Sequence, residues 1–198
     1  MGVGRVAAVG FGYGVGSVPT GVLVGRLLAG VDVRRYGSHS SGATNVLRTA
    51  GPVAGVATLC LDAAKGYLAP VVVRRLGGGQ AAQAAAAAAA GVGHSWPAFA
   101  GFQGGRSVMT TIGSLLALEP GTAGLALLGG VPVIALTRYV SLGSLAGALT
   151  AAAVAVRSPR VAPSVRRYTC FAAALLVVRH RGNIARLARG QEHRLGDR

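Results

Sequence analysis

The chain has 198 residues, 52% of them hydrophobic and only 13% charged, against roughly a quarter charged in an ordinary soluble domain. It carries +15 at pH 7, and Lys65 is the only basic residue that is not an arginine. The arginines punctuate apolar runs and form no single basic domain, which excludes nucleic acid as the partner and places them at membrane edges.

About seven apolar segments predict an all-α integral membrane protein, a bundle of transmembrane helices in one polytopic domain over 1–198. Val6–Ala29 follows Arg5, runs too long for a signal-peptide core and lacks a small-residue cleavage site, so it reads as a retained first span. Its Gly10/Gly14, Gly12/Gly16 and Gly21/Gly25 pairs let helices approach closely in lipid. Pro52–Val73 contains Asp62 and Lys65 at i,i+3, on one helix face. They read either as a mutually satisfied structural pair or as support for a polar site. Gln80–Gly93 is built on the Ala84–Ala90 run, which reads as helix filler. Val108–Leu118, Gly121–Leu136, Val140–Val156 and Tyr168–Val178 complete the set. Several fall short of the ~20 residues of a full span, so tilt or snorkelling arginines must accommodate them. Cys60 and Cys170 lie in apolar stretches without Cys/His ligand spacing, which predicts neither a disulfide nor a metal site.

Three polar stretches interrupt this pattern. Tyr36–Arg48 sets Ser38, Ser40, Ser41, Thr44, Asn45 and Arg48 among glycines, including Gly42. Hydroxyls, an amide, a guanidinium and approachable backbone N–H groups are the donors that bind phosphate, and a polar connecting loop has the same composition. Gly93–Arg106 ends in Gly104-Gly105-Arg106 ahead of an apolar helix, an anion site in outline. The Walker spacing is absent, and Trp96 reads as an interfacial anchor. Arg179–Glu192 follows the last apolar segment and opens a basic tail from about residue 179. Its His180 and Asn183, at i,i+3, are not needed for charge and can face one site. With the C-terminus cytoplasmic, all three stretches fall on one membrane face, along with Arg34, Arg35, Arg48, Arg106, Arg138 and the tail arginines Arg179, Arg181, Arg186, Arg189, Arg194 and Arg198. Arg74, Arg75, Arg157, Arg160, Arg166 and Arg167 fall on the other.

In order and spacing these stretches resemble the bacterial acyl-phosphate:glycerol-3-phosphate acyltransferase family, PlsY. The resemblance runs from Gly16-Ser-Val-Pro-Thr-Gly through Tyr36-Gly-Ser, Gly42-Ala-Thr-Asn-Val-Leu-Arg48 and Leu61-Asp-Ala-Ala-Lys-Gly66. It continues in Gly93-His-Ser-Trp-Pro-Ala-Phe, Phe102-Gln-Gly-Gly-Arg106, His180-Arg-Gly-Asn-Ile-Ala-Arg186 and Gly190-Gln-Glu192. It implies a seven-helix protein of the bacterial inner membrane with its active site toward the cytoplasm. The implied reaction moves a fatty acyl group from acyl phosphate to the sn-1 hydroxyl of glycerol 3-phosphate, giving lysophosphatidic acid and phosphate without a cofactor. Membrane lipids are the remaining implied partners. Carried over by position, Ser38, Gly42, Thr44, Asn45 and Arg48 belong to the first substrate-binding motif. Gly104, Gly105 and Arg106 belong to the phosphate-binding glycine motif, and His180 and Asn183 to the third. Of these, Ser38, Arg48, Arg106, His180 and Asn183 are the expected catalytic set, with either His180 or a substrate phosphate as general base.

No histidine begins the H-x-x-x-x-D signature of soluble-thioester acyltransferases, which favours acyl phosphate as donor. The chain departs from the family pattern at His39-Ser40 (usually Gly-Asn), Arg106-Ser107 (usually Lys-Gly) and Gly182 (usually Glu). These departures motivate an alternative, a non-catalytic or altered-specificity paralogue binding anionic lipid or phosphate. A small transporter using Asp62/Lys65 is a third reading.

Overall fold

A computed structural model describes residues 2–196; Arg198 of the basic tail lies outside them. Among the described residues there is no strand. The helices are α1 (Arg5–Gly16), α2 (Thr20–Ala29), α3 (Ala43–Ala50), α4 (Pro52–Arg75), α5 (Gln80–Ser95), α6 (Val108–Leu118), α7 (Pro120–Thr137), α8 (Val140–Arg157), α9 (Pro163–Arg179) and α10 (Arg181–Ala188). Short 3-10 turns occupy Val33–Arg35 and Ala98–Ala100. Proline at the first position starts α4, α7 and α9, where a missing N–H costs nothing. Four stretches, Arg5–Ala29, Pro52–Arg75, Pro120–Thr137 and Val140–Arg157, are long and apolar enough to cross a membrane, and α6 is a shorter apolar helix.

The first segment is one span broken in two. Pro19 has no N–H to continue the ladder, so the chain unwinds over 17–19 between α1 and α2. An unwound carbonyl is expensive in lipid unless it finds a donor, and Lys65 Nζ reaches Val18 O at 3.0 Å.

α5 is the central helix. α1, α4 and α9 all pack against it, and Ala86, Ala87 and Ala90 are fully buried. The alanine run therefore forms a close-contact surface and is more than filler. A Cβ on Gly12 or Gly16 would overlap the backbone of Ala86 or Ala90, so this pair brings α1 onto α5. Gly10 and Gly14 face open space, while Gly21 packs against Ser41 and Val46 of α3, and Gly25 against Val33 of the 3-10 turn, not against a long helix. α4 lies along α6 and α7 along α8.

Alternating helix direction sorts the connections to two ends. At one end Val3 N donates to Leu76 O and Ser164 Oγ to Gln80 Oε1. At the other end lie the three polar stretches, held by Arg34 to Ala100 O, Arg48 to the backbone of the tail, and Arg138 to Leu195 O.

Candidate active site

The first polar stretch is organised by Asn45. Its Nδ2 donates to Val33 O (2.8 Å), Tyr36 O (3.2 Å) and Ser40 O (2.8 Å), and its Oδ1 accepts from Ser38 N at 3.0 Å. At 2% exposure the amide is committed to the loop backbone, so Asn45 shapes the site without facing it. Ser38 is thereby held exposed at the loop tip, and Thr44 is half-buried on the first turn of α3. Asp32 caps the preceding 3-10 turn and grips Arg34 through Nε (2.9 Å) and Nη2 (2.6 Å). The Arg34 hydrogen bond holds the Asp32 carboxyl well below the usual carboxylate range. Arg34 Nη1 then donates to Ala100 O at 2.8 Å, joining the first stretch to the second.

In the second stretch, glycine is required by packing. A Cβ on Gly104 would overlap the carbonyls of His94 and Ser95, and one on Gly105 would overlap the His94 imidazole. Gly105 N–H is not free for an anion, because it donates to His94 O at 3.1 Å. From the opposite side Arg179 donates to Gly105 O (3.1 Å) and Gly104 O (3.4 Å), while its guanidinium lies 5.0 Å from the Trp96 ring centroid. Trp96 is therefore a platform for Arg179. Gly42 approaches the Gly105 backbone from the first stretch.

The third stretch centres on His180 and Asn183, 1% and 4% exposed. His180 Nδ1 lies 2.8 Å from Leu176 O. A carbonyl only accepts, so Nδ1 carries the proton and Nε2 presents a lone pair. Burial lowers the His180 pKa to about 4, against a smaller opposing effect of the Leu176 hydrogen bond, and the ring is neutral at pH 7. Asn183 Nδ2 donates to Glu192 Oε1, which also accepts from Ser141 Oγ at 2.8 Å, and Arg186 Nε donates to Glu192 Oε2 at 2.8 Å. Burial alone would raise the Glu192 pKa, but hydrogen bonds from Asn183, Ser141 and Arg186 together bring it below its ordinary value.

Arg106 ties the loops together electrostatically. Its pKa is lowered by burial and by the neighbouring cations Arg186, Arg179 and Arg48, with Glu192 opposing. Arg48 Nη2 reaches Arg194 O at 3.3 Å. Three guanidiniums and the Glu192 carboxylate thus surround Arg106, and Arg106, Arg179 and Glu192 are the charges near His180. Such a cation surplus beside a neutral imidazole lone pair is suited to binding a multiply charged anion next to a hydroxyl. Sequence reasoning did not place Ser141, Arg179, Arg186 or Glu192 in the site. Glu192 carried a signal, as one of five acidic residues in so basic a chain; Ser141 carried none.

The family model for glycerol-3-phosphate acyltransferase matches residues 6–190. The chain is 46% identical to glycerol-3-phosphate acyltransferase 2 of Moorella thermoacetica, over 94% of this chain and 95% of the relative. It is 41% identical to the glycerol-3-phosphate acyltransferase of Desulforudis audaxviator, over 98% and 96%. Its fold matches the crystal structure of PlsY (YgiH), an integral membrane glycerol 3-phosphate acyltransferase, in its glycerol 3-phosphate form, with a TM-score of 0.89 and 34% identity over 97% of this chain and 96% of that one. The lysophosphatidic acid form of that protein gives a TM-score of 0.86 at 34% identity, over 96% and 94%. The chain belongs to the glycerol-3-phosphate acyltransferase family and is an integral membrane enzyme of that activity.

Proposed function

We propose that the donor is an acyl phosphate, that the sn-1 hydroxyl of glycerol 3-phosphate attacks its carbonyl, and that the products are lysophosphatidic acid and inorganic phosphate. The observation that carries this reading is the gathering of Arg48, Arg179 and Arg186 around Arg106, which with Arg179 lies near the neutral His180. An acyl phosphate is already activated, so the protein's task is to orient the hydroxyl and stabilise charge on the carbonyl oxygen and the leaving group. Arg48 and Arg106 bind phosphate groups, the Gly104–Gly105 turn carries Arg106 to them, and Ser38, Gly42 and Thr44 complete the rim.

His180 Nε2 accepts the hydrogen bond of the attacking hydroxyl. A base with a pKa of about 4 takes up a proton poorly at neutral pH, so His180 orients the hydroxyl more than it deprotonates it. As the new ester C–O bond forms and the bond from the carbonyl carbon to the phosphate oxygen breaks, the hydroxyl proton passes to the departing phosphate. The departing group is inorganic phosphate, a stronger base than the buried imidazole with its pKa of about 4.

The loops face the cytoplasm in this reading. The end that carries them holds Arg34, Arg35, Arg48, Arg106, Arg138 and the basic tail, in keeping with positive-inside orientation. The test is conversion of acyl phosphate and glycerol 3-phosphate to lysophosphatidic acid by the purified protein in detergent, with acyl-CoA as the competing donor. Product no greater than that of an Arg48→Ala control, or equal use of acyl-CoA, refutes the assignment. Gln191→Cys in a Cys60→Ser, Cys170→Ser background, labelled in right-side-out and inverted vesicles, tests the orientation.

A further inference from the structure

The proposed chemistry makes no use of the charges in the middle of α4. Asp62 Oδ1 is a meeting point: Thr20 Oγ1 donates to it, Lys65 Nζ lies 2.9 Å away and His94 Nδ1 lies 3.3 Å away. All four residues are at most 7% exposed. Charge at this depth is costly, and the Asp62–Lys65 pair with Val18 O and Thr20 would offset that cost without a histidine. His94 adds something else. Its ring bridges from the charge cluster to the Gly104–Gly105 turn, so that a Cβ on Gly105 would overlap His94 Nε2. Its carbonyl accepts Gly105 N–H at 3.1 Å. His94 therefore meets Gly105 through both ring and backbone, while Arg179 holds the same turn by its carbonyls from the other side.

We propose that His94, seated 3.3 Å from Asp62 Oδ1, is a positioning residue that sets the Gly104–Arg106 turn for the phosphoryl group, and that the buried Thr20–Asp62–Lys65 cluster is the fixed post beside it. The inference rests on the reading that this turn binds phosphate. The coupling is short and rigid: three helices, α2, α4 and α5, supply the cluster, and one ring transmits its position. A ring that tilts away from Asp62 takes the floor of the turn with it. Geometry of this kind acts on affinity for the phosphate group more than on the intrinsic chemistry once substrate is seated.

The probe is inhibition by inorganic phosphate, measured with KM for acyl phosphate and kcat on the full-length protein in detergent. His94→Asn keeps an N–H donor near Asp62 but is too short to replace Nε2 beside Gly105. The expected result is a folded protein whose phosphate inhibition constant and acyl phosphate KM rise about tenfold or more while kcat at saturation changes little. Asp62→Asn should shift the same two constants, and the double variant should be no worse than the stronger single one. Arg106→Ala is the control for the turn itself. If Arg106→Ala weakens phosphate inhibition and His94→Asn does not, the positioning role is overturned and the phosphate reading stands. If neither weakens it, the phosphate reading fails and takes this inference with it. A His94→Asn protein that does not fold assigns the ring to stability alone and also overturns the proposal.

Discussion

Glu192 is the residue whose loss the structure prices most directly. Its carboxylate accepts from Ser141 Oγ, Asn183 Nδ2 and Arg186 Nε, and its side chain is 7% exposed. Glu192→Ala strands the donors of Ser141 and Asn183, 3% and 4% exposed, at about 1–3 kcal/mol each. The Arg186 pair adds less, about 0.5–1 kcal/mol, because that side chain is 37% exposed and screened. The three bonds share one carboxylate and are not additive, so the expected loss is ~3 kcal/mol. Glu192→Gln retains an acceptor for Ser141 and Asn183 and gives up only the charge and the Arg186 bond, for ~1 kcal/mol. The single tryptophan, Trp96, lies under Arg179 beside the site, so its fluorescence reports the unfolding of the detergent-solubilised protein. The Ala variant should melt well below Gln, and Gln slightly below wild type. Because the folded Glu192 pKa is depressed, its stabilisation is present above the unfolded value of 4.5 and is lost as pH falls through the folded one. The gap between wild type and Ala should therefore close in acid. Equal melting of Ala and Gln, or a gap that persists in acid, would refute this account of the carboxylate.

Three further outcomes follow from the same geometry. Ser107 sits at φ 63, fully buried, with Oγ unpartnered among the described residues, so Ser107→Gly should stabilise the protein by ~1 kcal/mol in the same melt; a loss of stability would mean that the hydroxyl has a structural role. Arg106→Lys restores the usual family residue and keeps the charge, so it should retain activity that Arg106→Ala loses by a factor of about ten or more, read as kcat/KM for acyl phosphate. His180 is neutral when folded, with a pKa lowered to about 4 from 6.5. The unfolded chain then binds more protons between these values, and stability falls by up to ~3 kcal/mol as pH drops from 6.5 to 4; His180→Gln should abolish that slope, as acid melts of the two proteins will show.

Most of the helices were legible because lipid imposes a plain rule: long apolar runs become helices. Val108–Leu118 is α6 without adjustment, Gly121–Leu136 extends by one residue at each end, and Val140–Val156 by one at its C-terminal end alone. Tyr168–Val178 was too short because Arg166 and Arg167 interrupt the apolar run, yet α9 begins at Pro163. Arg166 is tolerated there because its guanidinium turns onto the carbonyls of Ala155, Ser158 and Val161. The break inside the first span depended on Pro19, and the reading of a continuous segment passed over it. The short helices α3 and α10 fall in stretches read as polar loops, since eight residues make only about two turns, too few for the apolar positions in them to mark a helix beside the long apolar runs. The partners of the Asp62–Lys65 pair were illegible for another reason. Spacing at i,i+3 shows a local pair, but Thr20 and His94 arrive from other helices. The family departures have a backbone consequence that spacing does not reveal: His39 (φ 54) and Ser107 (φ 63) both adopt the left-handed conformation that the usual glycine takes freely.

The short helices also explain where the chemistry can occur. α6 has 11 residues and rises about 16 Å, roughly half the ~30 Å hydrocarbon thickness. α6 ends at the far side of the bundle, where Glu119 leads into α7, and Gly66 of α4 packs on Thr110, so the start of α6 at Ser107 lies level with the middle of α4 and well short of its polar end. The Gly104–Arg106 turn immediately precedes that start and is recessed with it. His94, near the end of the 16-residue α5, supports the turn at the same depth, and Arg179 closes it from the end of α9. An acyl phosphate has its reactive carbonyl just where an apolar chain meets a charged head. A turn at full height above the membrane would require the chain to leave lipid before its carbonyl could reach the site. For the proposed acyl phosphate donor, a recessed turn would let the chain stay among apolar helix faces while guanidiniums took the phosphate and the soluble acceptor entered from the open polar side. The helices that looked too short to span are the ones that bring the polar loops to the depth of the proposed bond.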